Sequence, residues 1–193
     1  QVFGLAVVAG LSVIPGAISA NLIARKIGKR NTLLLAIAVL GIFHTAPIGL
    51  RLLGVLPPNG APVLYFLVAG FLFISQTFAV VSTIIAQSMM ADVADEYASV
   101  SGRHQQAGLF AAITFAQKTT FGIGVFFAGL VLDLVHFPVK TASTDIPNEV
   151  IRRMGAAEAI SVIVLCICTF LAWSGYDLNK NRHEKIQNML SNR

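Results

Sequence analysis

Long apolar runs separated by short polar clusters fill the chain, and their length decides the element type. Residues 2–23 form the first run, 32–50 the second between Arg30 and Arg51, and 62–90 the third; 108–132 is interrupted only by Lys118, and 157–176 closes the series. A helix rises about 1.5 Å per residue, so about 20 residues cross roughly 30 Å of hydrocarbon. The pattern therefore predicts an all-α membrane protein with five transmembrane helices. Barrel strands would show alternation over about ten residues, whereas these runs are continuous.

The connections agree with this reading. VLPPNGAP, Val55 to Pro62, combines two adjacent prolines with an Asn-Gly pair and reads as a tight turn. Residues 136–153 form a longer polar loop, and 177–193 a polar tail. Ile186, Met189 and Leu190 share one helical face of that tail, which is either a short helix on the membrane surface or a solvated end. Pro15 with Gly16 predicts a kink in the first span, and Pro47 one in the second.

Composition sharpens the class. The chain of 193 residues is 55% hydrophobic and 12% charged, with a mean hydropathy of +0.75, against about 25% charged residues in soluble domains. Its net charge of +5 does not indicate a nucleic-acid partner, because the basic residues stand beside span ends instead of along one face. Arg25, Lys26, Lys29 and Arg30 follow span one, Arg103 lies between spans three and four, and Lys180, Arg182, Lys185 and Arg193 follow span five. Arg51, Lys140, Arg152 and Arg153 lie on the other side, partly offset by Asp133, Asp145 and Glu149. By the positive-inside rule the first set is cytoplasmic, and so are the C-terminus and tail. The start at Gln1, with no initiator methionine and no signal-peptide n-region, leads us to expect a fragment.

Few residues carry candidate chemistry. Cys166 and Cys168, two apart on the last span, point to different faces and read as packing residues. His44 within span two is either a proton-relay group or a histidine hydrogen-bonded in the bundle. No HExxH, GxSxG, Walker loop or metal-ligand cluster occurs, which argues against an enzyme. Lys118 stands apart. At mid-span an unpaired charge costs about 2.5 to 3.5 kcal/mol on insertion scales, relieved by a partner or a polar cavity. Thr114, Lys118 and Gly122 form an i, i+4, i+8 stripe, which predicts that this face looks into a bundle; the alternative is a register that brings Lys118 nearer an interface. Gly122, Gly124 and Gly129 read as close-packing positions. Asp92, Asp95 and Glu96 share a helix face at the inner end of span three, with Arg103 and His104 a short loop away. They are either a charge cluster or ordinary solvated helix-end carboxylates.

MMADVADEYASVSGRHQQAGLFAAITFAQKTTFGIGVFFAGLVLD resembles the span ten to eleven region of the glycoside-pentoside-hexuronide:cation symporters, the melibiose permease group of the major facilitator superfamily. The likeness lies in the carboxylate pair of MADVAD, the SGR-H-Q-x-x-G run, a membrane lysine 23 residues beyond the second aspartate, and the closing AGLVLD. NLIARKIGKRN is similar to the basic loop between spans eight and nine. The resemblance implies spans eight to twelve of a twelve-helix transporter, with an N-terminal six-helix half as its missing partner. It implies cation-coupled symport of a sugar or glycoside by alternating access, in a bacterial inner membrane, with Na+, H+ or Li+ as coupling cation and no cofactor. Lys118 then matches the lysine near the substrate and cation sites, with Thr114 beside it, and Asp92, Asp95 and Arg103 match a cytoplasmic ionic gate.

Three positions depart from the family pattern. Thr83 stands where the melibiose permease presents a tryptophan that stacks on a sugar ring, and Ile113 replaces a glutamine. Arg25 occupies an aspartate position of the basic-loop motif, which argues against a charge relay through that loop. The first departure keeps open an alternative, a major facilitator transporter of a lipid-like or other non-sugar solute.

Overall fold

The computed structural model describes residues 2–58, 61–101, 106–138 and 147–174. All of its regular elements are helices, in the order α1 (Val2–Leu11), α2 (Val13–Ile27), α3 (Lys29–Leu52), α4 (Pro62–Ser101), α5 (Gln106–Leu134) and α6 (Asn148–Ser174). Taking α1 with α2 as one broken span, five helical segments are long and apolar enough to cross a membrane. The Arg103 position and the 177–193 tail lie outside the described residues.

Three boundaries differ from the sequence expectation, each for a physical reason. The first span is interrupted at Ser12, one turn before Pro15. Pro15 has no N–H to give the Leu11 carbonyl, while Ser12 Oγ donates to the Ala9 carbonyl at 2.6 Å. Pro47, by contrast, stays inside a continuous α3. The third helix does not stop at Met90 but runs on to Ser101, and the last begins at Asn148. In both cases charges bounded the apolar run without ending the helix, carboxylates in α4 and Arg152 and Arg153 in α6.

Small residues bring α2 against α4. Ser12, Gly16 and Ala20 recur every four residues and all three are buried. A Cβ on Gly16 would stand 2.8 Å from Val80 Cβ and 2.9 Å from the Thr77 carbonyl oxygen, so the backbones meet as in a small-xxx-small contact. Gly16 thus serves packing more than the expected kink. Gly122, Gly124 and Gly129 show the reverse: a Cβ at any of them meets no atom within 4 Å, contrary to the close-packing expectation.

The turn between α2 and α3 is a single glycine. Gly28, at φ 82° and ψ 158°, occupies a region essentially closed to side-chain-bearing residues. Its N–H donates to the Ala24 carbonyl at 2.9 Å, and its carbonyl accepts from Thr32 Oγ1 at 2.7 Å. This reversal lays α3 beside α4, its most extensive partner, and α6, the next. The core that results comprises Ala20, Leu33, Ala36, Ile37, Val81, Ile85 and Met89, with Trp173 and Cys166 packed against it. It lies toward the end where α2 finishes and α3 starts, called here the basic end; the distal end is where α3 finishes and α4 and α6 start.

α5 is different. It touches the rest of the bundle only along short stretches of α4 and α6, and from Ala107 to Leu134 no residue is buried.

Candidate functional site

At the basic end, charges join helices that are far apart in sequence. Lys29, the first residue of α3, donates from Nζ to both carboxylate oxygens of Asp92 on α4, at 2.8 and 2.7 Å. The Asp92 side chain is 13% exposed and that of Lys29 38%, so the pair is partly withdrawn from solvent and its attraction less screened than at a surface. The neighbouring Arg30 donates to the Ser174 carbonyl at the end of α6. The basic loop thereby ties α3 to α4 and α6 at once.

The sequence reading pointed to Asp92 but not to its partner. It also argued against a charge relay through the basic loop because Arg25 replaces an aspartate; Lys29, four residues on, supplies an ion pair from that same loop. Spacing could not reveal it, because Lys29 and Asp92 are 63 residues apart and meet only when α3 and α4 lie in one vertical register. Asp95 and Glu96 lie half-buried on the same helix.

Lys118 stands twelve residues after the start of α5 at Gln106 and sixteen before its end at Leu134. At about 1.5 Å per residue that is about 18 and 24 Å from the two ends. Its side chain is exposed, as are Thr114 and Gly122 on the same stripe, and among the described residues it has no ion-pair partner. Thr114 Oγ1 donates to the Phe110 carbonyl at 2.9 Å, and the exposed Thr83 does the same to Ala79 at 2.9 Å. Both hydroxyls are thus satisfied within their own helices.

A further constellation was not singled out from the sequence. His44 Nε2 on α3 lies 3.4 Å from Glu158 Oε1 on α6, with side chains 34% and 51% exposed. Ten residues after the start of α6, Glu158 stands about 15 Å along its axis. The contact gives His44 a partner within the bundle, and both readings of the histidine accommodate it. The signal for its partner was an acidic residue at the margin of the last apolar run, which hydropathy alone treats as a span edge.

These two residues line a cavity of about 890 Å³ between α3, α4 and α6 at the distal end. Phe43, Pro47, Ile48, Val68 and Leu72 give it apolar walls, while Arg51 and Arg152 add two cations and Ser75 and Asn148 neutral polar groups. Pro47 has no N–H to offer the Phe43 carbonyl, so the α3 wall also carries a backbone acceptor without its usual helical donor. Among the described residues no three His, Cys, Asp or Glu side chains gather as a metal site would require.

Comparison with curated proteins and with solved structures gave no match. A family model does match, over residues 1–180, almost the whole chain and every helix described above, and its description is MFS/sugar transport protein. This all-helical chain, with five segments able to span a membrane, belongs to that family of major facilitator transporters.

Proposed function

We propose that the chain is the C-terminal part of a secondary active transporter that carries a sugar or glycoside with a coupled cation, by alternating access. The observation that carries the proposal is Lys118, a charge placed midway along a helix of spanning length in a family described as sugar transporters. Such a charge, about 18 Å or more from either helix end, needs a polar environment. In a major facilitator transporter that environment is the central site between two six-helix halves. α5 fits this placement: it meets α4 and α6 only along short stretches and its Lys118 stripe is exposed, as expected of a helix that lines a path completed by another half. The N-terminal half then supplies carboxylates that balance Lys118 and hold Na+, H+ or Li+, and Thr114 and Thr83 line the same path. The chain sits in a bacterial inner membrane with its C-terminus cytoplasmic, in accord with the arginines and lysines at the basic end.

The ionic gate belongs to that cytoplasmic face. Lys29 and Asp92 make α3 and α4 move together there, and Asp95 extends the charged surface that meets the opposite half in the outward-facing state; the family resemblance assigns Arg103 to the same gate. Charge reversal at Asp92 should raise inward-facing accessibility, measured by cysteine labelling from the cytoplasmic side; unchanged labelling would reduce the cluster to solvated charge.

A second reading, transport of a lipid-like solute, is favoured by Thr83, which leaves no aromatic platform for a sugar ring at that position. Thermal stability of the intact transporter decides between the two. Glycosides, pentosides, hexuronides and lysolipids are compared with and without Na+, each near 100 times its Kd, where binding adds about 2.7 kcal/mol. A Na+-enhanced glycoside shift that Lys118→Ala removes supports sugar symport. A shift with lysolipids alone overturns it in favour of the second reading.

A further inference from the structure

The distal cavity takes no part in the path along α5. We propose that it is a binding site for an anionic phospholipid, with the phosphodiester at the arginine rim and an acyl chain in the apolar depth.

Position supports this first. Arg51 stands in the last turn of α3, one residue before its end at Leu52, and Arg152 lies four residues into α6. Both therefore sit where a spanning helix passes from hydrocarbon into the headgroup layer, the level at which long basic side chains settle. Leu72 and Phe43, ten residues from the distal start of α4 and nine from the distal end of α3, carry the same cavity about 14 to 15 Å deeper. Charged rim and apolar shaft run in the direction that a lipid takes in a leaflet.

Charge supports it next. Among the described residues the lining holds two arginines and one carboxylate, Glu158, and that carboxylate faces His44 at 3.4 Å, deeper in the cavity. Glu149, one residue after Asn148, pairs with both Arg153 at 3.1 Å and Arg152 at 3.7 Å. An arginine has five N–H donors in a planar fork suited to phosphate oxygens. Arg51 donates to the Pro57 carbonyl at 2.9 Å, one of its contacts, which ties the guanidinium to the rim. Asn148, the first residue of α6, also lines the opening, so the positive end of the helix dipole reinforces the preference for an anion.

Size agrees. About 890 Å³ lies within the roughly 300 to 1,000 Å³ of organic-ligand pockets, far more than a free phosphate fills. Surrounded by spanning helices, the apolar shaft calls for an acyl chain, which a soluble anion lacks.

The test uses the intact transporter, purified in mild detergent. Retention of phosphatidylglycerol, phosphatidylcholine and inorganic phosphate is read by native mass spectrometry and by competition. Both lipids carry the phosphodiester, but the choline cation of phosphatidylcholine is repelled by the arginine rim, so phosphatidylglycerol should bind about tenfold tighter. Arg152→Gln should abolish that preference, and Leu72→Trp, which fills the shaft and leaves both arginines in place, should cut retention of both lipids. Two variants at opposite ends of the cavity guard against a folding defect in either. Equal retention of the two lipids by the wild-type protein, or undiminished lipid retention in Leu72→Trp, would overturn the proposal. Displacement of phosphatidylglycerol by millimolar phosphate would also overturn it, assigning the rim to a soluble anion.

Discussion

The two ends of the α3–α4–α6 group are built from the same three helices and are filled in opposite ways. At the basic end Leu33, Val81 and Met89 are all but fully buried, and the Lys29–Asp92 pair and the Arg30–Ser174 bond close the top of the core. At the distal end the same helices enclose a cavity, although α3 and α6 still approach closely where Gly155 meets the Ile48 side chain. The difference teaches what sets the spacing. Small residues such as Ala20 and Ala36 let backbones close on one another, whereas His44, Glu158, Arg51 and Arg152 must keep a polar or wet surrounding and hold the helices apart. One end is arranged to stay shut and the other to admit something.

This contrast can be broken most directly by truncation. Leu33→Ala removes a fully buried side chain from the closed end and should cost about 3 kcal/mol. Val68→Ala in the cavity wall borders space already empty, and should cost under about 1 kcal/mol. Thermal unfolding of the two variants side by side checks this; equal losses would mean that the distal end is as tightly packed as the basic one. Gly28→Ala should come next, at about 2 kcal/mol, because alanine is strained at the backbone angles that Gly28 adopts. Its damage should be confined to the basic end, seen as greater labelling of a cysteine placed at Ala36 and none of one at Leu72.

The smallest effect sharpens the electrostatic side of the comparison. Lys29→Met should destabilise by about 1 kcal/mol, since Lys29 is more than one-third exposed and solvent screens part of the attraction. The exchanged double variant Lys29→Asp with Asp92→Lys should recover a part of the loss of either single change. A double-mutant cycle with no coupling would show that apolar packing alone closes this end.

How far the sequence could be read follows from what hydropathy measures. It located every spanning segment, because a run of about 20 apolar residues is a local property with one economical solution in a bilayer. Helix ends were less legible: the apolar run stopped near Met90, but α4 continues through Asp92, Asp95 and Glu96 to Ser101. A charge ends a hydrocarbon span without breaking backbone hydrogen bonds. Trp173 packs against the core, and so does Cys166, in line with its packing reading; a Cβ on Gly41 would stand 3.0 Å from its Sγ. Of the candidate site, Lys118 and Asp92 were visible as charges out of place, whereas Lys29 and Glu158 were not, since each stood beside other charges at a span margin.

The sequence by itself determined the all-helical class, the number of spanning segments and the presence of a charge midway along α5. Only the tertiary structure decided that Gly16 is a contact with α4, that Lys29 holds Asp92, and that His44 meets Glu158 over a cavity. A helix apolar on all sides has no face that hydropathy can orient. Its rotation and vertical register come from side-chain packing against neighbours, and that packing exists only once the helices are together.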